Sequence, residues 1–236
     1  MNQHTVKAYE EELSQLDRKV AQMGGLAEKL LGQAFDALER HDPNLAEGAI
    51  SSDRSIDQIE RELQEQTINM IARRQPMAND LRHIMTVLKI AGDLERIGDL
   101  AKNIAKRALA ISGENHPKPL MTGFEHMTQL ALRQLKDVLD AYAERNAEKA
   151  LAVWRHDEQI DSMYNSLFRE MLTYMMEDPR NIGLCTHLLF GAKNIERIGD
   201  HTTNIAENVY YLVHGTPLSS ARPKGDDTSS TLILKT

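Results

Sequence analysis

The stretch Glu95-Arg96-Ile97-Gly98-Asp99 occurs twice in this chain. It returns as Glu196-Arg197-Ile198-Gly199-Asp200, and both copies run on to Asn-Ile-Ala, so that eight of eleven aligned positions are identical. The copies lie roughly 100 residues apart, which is the length of a small domain and too long for a solenoid repeat. The chain therefore reads as one structural unit used twice.

Each copy places a glutamate and an aspartate four residues apart in a helical pattern. Such residues are neighbours on a helix, with Cβ atoms about 5–6 Å apart, and their like charges repel. A hard cation such as Mg²⁺, Mn²⁺, Ca²⁺ or Fe would bind their oxygen atoms. An exposed acidic face paired with arginine or lysine is the alternative. The duplication favours a cation site, with these candidate ligands: Glu95, Asp99, Glu196 and Asp200.

The composition is that of an ordinary globular protein. The 236 residues are 41% apolar and 27% charged, and 28 Lys and Arg against 35 Asp and Glu give a net charge of −7, which argues against a broad nucleic-acid surface. The N-terminus has no apolar signal core and no apolar run approaches roughly 18 residues, so a cytoplasmic location is expected. The single Cys185 excludes an internal disulfide, and its apolar neighbours predict a buried, inert thiol.

Helical periodicity extends through almost the whole chain, and no stretch alternates with a period of two, so we predict an all-α fold. Six helices are expected, separated by Asp42-Pro43, Gln75-Pro76, the Gly- and Pro-containing linker 112–119 and two shorter breaks. Their predicted spans are about 6–40, 43–74, 79–111, 120–145, 147–177 and 179 or 180–214.

A second internal match supports the duplication. The segment ending in Ile-Asp at Asp57 aligns with the one ending in Ile-Asp at Asp161. Each half is therefore predicted to be a three-helix bundle, the first over 1–114 and the second over 115–215, related by pseudo-symmetry. Residues 216–236 are rich in Gly, Pro, Ser, Thr, Asp and Lys and are expected to form a disordered tail.

The motif acids are predicted to lie opposite the apolar stripe of their own helix. Acids on the preceding helix flank its apolar stripe and can approach them from the side, which makes these residues secondary candidate ligands: Asp53, Asp57, Asp157 and Asp161. Glu207 extends the acidic face of the second copy, whereas the first copy has Lys106 there. This difference predicts two related but unequal acidic sites, one in each half.

Gly98 and Gly199 lie inside helices, where glycine costs up to about 1 kcal/mol relative to alanine. Close helix packing is the favoured explanation, and access of a ligand to the backbone is the alternative.

Patterns of the common enzymes are missing from the sequence. There is no Glu-x-x-His, no His-x-x-x-His, no glycine-rich phosphate loop and no local signature of a Ser or Cys nucleophile. We therefore predict that the protein is not an enzyme. Two alternatives remain: a metal-dependent carboxylate-cluster enzyme, either an oxidoreductase or a phosphohydrolase, and a helical scaffold without metal.

The duplicated Glu-Arg-Ile-Gly-Asp motif with its Asn-Ile-Ala extension, together with the two Ile-Asp pairs, resembles the PhoU family of phosphate transport and phosphate signalling regulators. The resemblance covers about residues 5–215 and implies two pseudo-symmetric three-helix bundles, in line with the periodicity. It also implies surface metal ions held by the motif acids. By this resemblance the metal would be Mg, Mn, Fe or Zn, and the sequence does not choose among them.

The resemblance further implies a non-enzymatic role, namely negative regulation of the phosphate-starvation response (the Pho regulon). The implied partners are the ATPase of the phosphate ABC transporter, a membrane sensor histidine kinase and a second copy in a homodimer. No nucleic acid is expected, and the protein would meet the membrane only through its partners.

Overall fold

The computed structural model describes residues 3–114 and 116–219, and all regular secondary structure within these ranges is helical. The α-helices are α1 (Gln3–Arg40), α2 (Pro43–Ser52), α3 (Arg54–Arg74), α4 (Asn79–Ala110), α5 (Lys118–Ala143), α6 (Ala147–Arg155), α7 (Glu158–Glu177) and α8 (Ile182–His214). A short 3-10 helix, Pro179–Asn181, leads into α8. The all-α prediction is confirmed.

Two of the six predicted helices are interrupted at equivalent places. The expected helix over 43–74 breaks at Asp53 into α2 and α3, since the hydroxyl groups of Ser51 and Ser52 donate to the carbonyl oxygens of Gly48 and Ala49, at 2.9 and 2.8 Å, and compete with backbone pairing. The helix expected over 147–177 breaks at 156–157.

At the second break, the side-chain amide of Gln134 on α5 donates to the carbonyl oxygen of His156 at 3.0 Å, which satisfies an acceptor at the end of α6. Each half therefore consists of three helical rods. The middle rod is α2 with α3 in the first half and α6 with α7 in the second, and each middle rod bends at its break.

The middle rods begin with matching caps. Asp42 accepts hydrogen bonds from the backbone N–H groups of Asn44 and Leu45 at 2.8 and 3.3 Å, and Pro43 occupies the first helical position, as predicted. In the second half the Asn146 side chain accepts from Glu148 and Lys149, both at 3.1 Å. The duplication therefore extends to the capping groups.

The long helices α4 and α8 pack together in an antiparallel pair at the centre of the molecule. The guanidinium of Arg82, near the start of α4, lies over the ring of Tyr211 near the end of α8, at 5.8 Å. At the other end Arg107 lies over Phe190 at 5.0 Å. The two motif copies therefore lie near the middle of this pair, and the apolar core is continuous through both halves. The assignment of 1–114 and 115–215 to separate bundles stays a prediction.

A polar cluster also joins the halves between α1, α4 and α5. The Oδ1 atom of Asp17 lies 2.7 Å from Nε2 of His83 and accepts a hydrogen bond from the Tyr142 hydroxyl. Burial of the Asp17 carboxylate would raise its pKa, but these hydrogen bonds outweigh burial and lower it. Since His83 and Tyr142 come from different halves, the cluster fixes α5 against the first half.

The remaining sequence expectations concern Cys185, membrane spans and the tail. Cys185 is buried, and burial raises the pKa of its thiol, as expected for an inert cysteine. Among the helices described here, none combines the length and apolar character that a membrane span needs. Residues 216–219 follow α8 without regular structure, and the rest of the predicted disordered tail lies outside the described residues.

The motif glycines are sites of close helix packing, as predicted. A Cβ atom added to Gly98 would lie 2.9 Å from Cδ1 of Ile56 and 3.2 Å from Oδ1 of Asp53. A Cβ atom on Gly199 would lie 3.0 Å from Cδ1 of Ile160. In each half the middle rod therefore sits directly on the motif helix just after its break, at the first turn of α3 or α7.

We expect Gly98→Val to destabilise the protein by about 1–3 kcal/mol, because the added atoms overlap a fully packed isoleucine. Gly92→Val on the same helix is the matched control. No described atom lies within 4 Å of the Cβ position there, and glycine and valine differ in helix propensity by only a few tenths of a kcal/mol. Urea unfolding of both variants measures the difference, and equal losses would contradict the packing role.

Candidate cation site

In the first half a lysine ties the two acidic helices together. Lys102 Nζ donates to Oδ2 of Asp53, at the α2–α3 break, and to Oδ1 of Asp99 on α4, both at 2.5 Å. Asp53 is buried, whereas Asp99 keeps about a third of its side chain exposed. The predicted approach of Asp53 to the motif is confirmed, and the cation between them belongs to the chain itself.

Burial controls the charges of this group. Burial raises the pKa of Asp53, and the hydrogen bond from Lys102 only partly offsets that rise. Burial alone would lower the pKa of Lys102, but its two carboxylate partners outweigh burial and raise it. Lys102 is therefore a permanent cation at neutral pH.

Glu95 lies at the edge of this group rather than inside it. Its carboxylate is 3.5 Å from Nε of Arg96, and its side chain is a quarter exposed. Burial, followed by the nearby charge of Asp99, raises the pKa of Glu95, and Asp57 contributes to that rise. All four predicted acids of the first half are thus close to one another.

The second half contains the same acids in a more buried setting. Glu196 is only 5% exposed. Its Oε1 atom accepts from Lys193 Nζ at 2.9 Å, and its Oε2 atom is buried with no hydrogen-bond partner in the described part of the chain. Burial raises the pKa of Glu196 to about 6, and the charges of Asp200 and Asp161 add to the rise. A carboxylate oxygen buried without a partner is costly unless a ligand satisfies it.

A threonine replaces the bridging lysine in this half. Thr203 occupies the position that matches Lys102, and its hydroxyl donates to Oδ1 of buried Asp157 at 3.0 Å. Glu207, predicted to join the acidic face, instead accepts from the Trp154 indole N–H at 3.0 Å. The two sites are unequal, as the sequence suggested, but the residues that make them so are Lys102 and Thr203.

The outward orientation expected of the motif acids holds in the first copy and is wrong for Glu196. Glu95 and Asp99 are a quarter and a third exposed, whereas Glu196 is buried where α7 packs against α8, close to the buried Asp161. A helical wheel gives only the angle of a residue on its own helix, so it cannot show which neighbouring helix covers that face.

The eight predicted ligands form two groups of four, one in each half. Within residues 3–114 and 116–219, no three His, Cys, Asp or Glu side chains lie together in a group that could hold a metal ion. Carboxylate oxygens are the ligands that a hard cation accepts, but the described acids of the second half are not gathered into a group that could hold one. In the first half Lys102 already occupies the space between the carboxylates. Metal binding at these residues stays a prediction.

Sequence reasoning missed the two residues that distinguish the sites. Three positions differ between the motif copies, and one of them pairs Lys102 with Thr203. That pair lies three residues beyond the motif aspartate, within side-chain reach on a helix. The signal was therefore present in the alignment of the two copies.

Comparison with known proteins agrees with this architecture. The PhoU domain model matches residues 20–108 and 124–209, which is one copy in each half. The chain belongs to the PhoU family.

Similar proteins match over nearly the full length of the PhoU-family chain. It is 56% identical to a phosphate-specific transport system accessory protein PhoU homolog of Rhizobium meliloti, over 96% of both chains. It is 49% identical to a homolog with the same name from Caulobacter vibrioides, over 96% of this chain and 98% of that one. The crystal structure of PhoU from Pseudomonas aeruginosa matches with a TM-score of 0.85 and 39% identity, over 88% of this chain and 100% of that one.

We expect Glu196 to make the stability of this PhoU-family chain depend on pH. Burial raises its pKa from 4.5 to about 6, so between these values the folded state holds a proton that the unfolded state has lost. Stability then falls as the pH rises through this window. Glu196→Gln removes the titration and should stabilise the protein above it by on the order of 1 kcal/mol, or about 2–4 °C in melting temperature.

Calorimetry of wild type and Glu196→Gln across this pH range measures the effect as a difference in melting temperature that grows with pH. Glu65→Gln, at an exposed glutamate on α3, is the control for the removal of one negative charge. A constant difference for Glu196→Gln would contradict the assignment.

Proposed function

We propose that this chain is a non-enzymatic regulator of phosphate uptake that represses the phosphate-starvation response while phosphate is plentiful. The observation that carries the proposal is the 56% identity, over 96% of both chains, to a protein named as an accessory of the phosphate-specific transport system. Identity of this extent over nearly the whole of both chains supports a shared role as well as a shared fold.

The proposed mechanism is that of an adaptor. The chain contacts the ATPase of the phosphate ABC transporter and the cytoplasmic part of a sensor histidine kinase, and it passes the state of the transporter to the kinase. It acts in the cytoplasm, as a homodimer, and reaches the membrane through these partners. The charged groups of the first-half motif support a binding role more than catalysis, because Asp53 and Asp99 are both engaged by Lys102.

The first-half motif is the proposed docking surface. Glu95 and Asp99 remain partly exposed beside Arg96, whose side chain is 62% exposed. Exposed charges of this kind contribute to the rate and specificity of association more than to its final strength. Glu196 is too buried to touch a partner directly, so the second motif has a different task.

That task is the proposed binding of a divalent metal or iron (Mg, Mn, Fe or Zn) by the motif carboxylates. The hypothesis extends to all eight acids: Glu95, Asp99, Asp53, Asp57, Glu196, Asp200, Asp157 and Asp161. The Glu196 Oε2 atom, buried and unpaired within the described residues, supports it. A bound metal would stabilise the folded state by a free energy that grows with the logarithm of the ratio of free metal concentration to dissociation constant.

Deletion of the chain tests the regulatory role. Cells that lack it should express a phosphate-starvation reporter in phosphate-rich medium, and the wild-type chain should restore repression. A reporter that remains off in the deletion strain would overturn the proposal. Metal-dependent phosphoester turnover by the purified chain would favour the carboxylate-cluster enzyme instead.

We expect the double variant Glu95→Gln, Asp99→Asn to bind the transporter ATPase and the kinase more weakly in a pull-down, by about tenfold for a loss of about 1.4 kcal/mol. Glu65→Gln with Asp137→Asn is the matched control, since it removes the same charge from two exposed acids outside the motif. Equal binding by both double variants would remove the motif from the docking surface.

A further inference from the structure

We propose that residues 226–234 of this chain bind to an exposed apolar surface at the start of its own helix α4. This surface, called the α4 patch, consists of Met77, Leu81 and Met85. The inference goes beyond the proposed regulatory role and does not depend on it. It combines three observations: the chemistry of the α4 patch, the course of the chain after α8, and the sequence that follows.

The α4 patch brings three large apolar side chains to the surface. Met77 directly precedes the helix and is 81% exposed. Leu81 and Met85 are 38% and 41% exposed, and because they are four residues apart they lie on the same face of α4. Apolar side chains that are exposed together mark binding surfaces, whereas single ones do not. The patch therefore needs an occupant with apolar side chains.

Two cations lie beside the α4 patch. The side chains of Arg82 and Lys89 each lie 5.8 Å from the ring centroid of Tyr211 on α8. Arg82 also donates to the amide oxygen of Asn79 at 3.3 Å. These contacts are with uncharged groups, so both cations can still attract a carboxylate. The occupant should therefore carry acidic as well as apolar residues.

After α8 the chain returns to this same end of the molecule. Helix α8 ends at His214, and a Cβ atom added to the next residue, Gly215, would lie 2.5 Å from Nη1 of Arg82. Leu218 is partly buried and packs against the core. The described part of the chain thus ends, at Ser219, close to the start of α4.

The sequence beyond Ser219 contains the required groups. Leu232-Ile233-Leu234 is the only run of large apolar residues there, and the acidic pair Asp226-Asp227 precedes it. Residues 226–234 include two acids and no lysine or arginine, so their charge is opposite to that of Arg82 and Lys89. Burial of the three apolar side chains against the α4 patch would remove apolar area of both from water.

The length of the chain allows this contact. Leu232 follows Ser219 by 13 residues. A random coil of that length has a root-mean-square end-to-end distance of about 20 Å and a maximum of about 44 Å. The α4 patch lies within about 10 Å of Arg82 along the helix axis. A short tether of this kind gives an effective concentration in the range of about 1 mM, so even a weak contact is largely formed.

The test compares the rates at which hydrogen peroxide oxidises individual methionines in the full chain, measured by mass spectrometry. Met77 and Met85 report on the α4 patch. Met176 is the internal control, because it is 77% exposed at the end of α7. That position adjoins the start of α8, which is about 50 Å from the end of the same helix.

The variant that removes the apolar contact is Leu232→Ser with Ile233→Ser and Leu234→Ser, which leaves the described fold untouched. Met77 and Met85 should be oxidised about fivefold more slowly in wild type than in this triple variant, which corresponds to about 80% of chains with the segment bound. Met176 should be oxidised at the same rate in both chains.

A second pair of variants tests the charges. Asp226→Asn with Asp227→Asn should lose about half of the protection, because the attraction to Arg82 and Lys89 is removed. Arg222→Gln with Lys224→Gln is the matched control, since it neutralises two charges just before residues 226–234. This control should keep at least the protection of wild type.

Equal oxidation of Met77 and Met85 in wild type and in the triple serine variant would overturn the inference and leave the α4 patch open to a partner protein. Protection that disappears on dilution of the chain would also overturn it, because binding within one chain does not depend on concentration. The occupant would then be the segment of a second copy. A rate change of the same size at Met176 would show a general effect on oxidation and would likewise contradict the assignment.

Discussion

The contact of Ile56 with Gly98, repeated as Ile160 on Gly199, is the constraint on which both motif sites depend. Because glycine has no side chain, the middle rod of each half approaches the motif helix closely. That approach carries the aspartate at the break of the rod against the motif and buries it. A buried carboxylate needs a hydrogen bond or an opposite charge. The glycine therefore does more than permit packing, since it creates an electrostatic requirement that the neighbouring residues must meet.

The two halves meet this requirement in different ways. In the first, Lys102 neutralises the buried Asp53 and links it to Asp99. In the second, a hydroxyl from Thr203 serves Asp157, and an oxygen of Glu196 is left without a partner among the described residues. Removing one partner of a buried ion pair is strongly destabilising, so the first half depends on Lys102 more than the second half depends on Thr203. The same backbone thus supports two different arrangements around a buried aspartate, one with a charged partner and one with a hydroxyl partner.

Most of the fold could be predicted from the sequence, because the apolar periodicity, the Asp42-Pro43 cap and the internal repeat are all local signals. The breaks at Asp53 and at residues 156–157 could not, since one depends on serine hydroxyls that compete for carbonyl oxygens and the other on Gln134, which comes from a different helix. The acids of the site were found by their spacing. Their burial was not, because the exposure of Glu196 depends on how α7 packs against α8, which is a property of tertiary structure.

The antiparallel pairing of α4 and α8 gives the chain an approximate two-fold axis through its centre. A molecule with such an axis presents similar surfaces to a partner in two orientations. The exchange of Lys102 for Thr203 places a positive charge on one side of the axis and none at the equivalent position on the other. The two sides of the axis therefore differ in charge although their folds match. A partner that spans both motifs can distinguish its two ends and bind in a single orientation, even though the fold itself repeats.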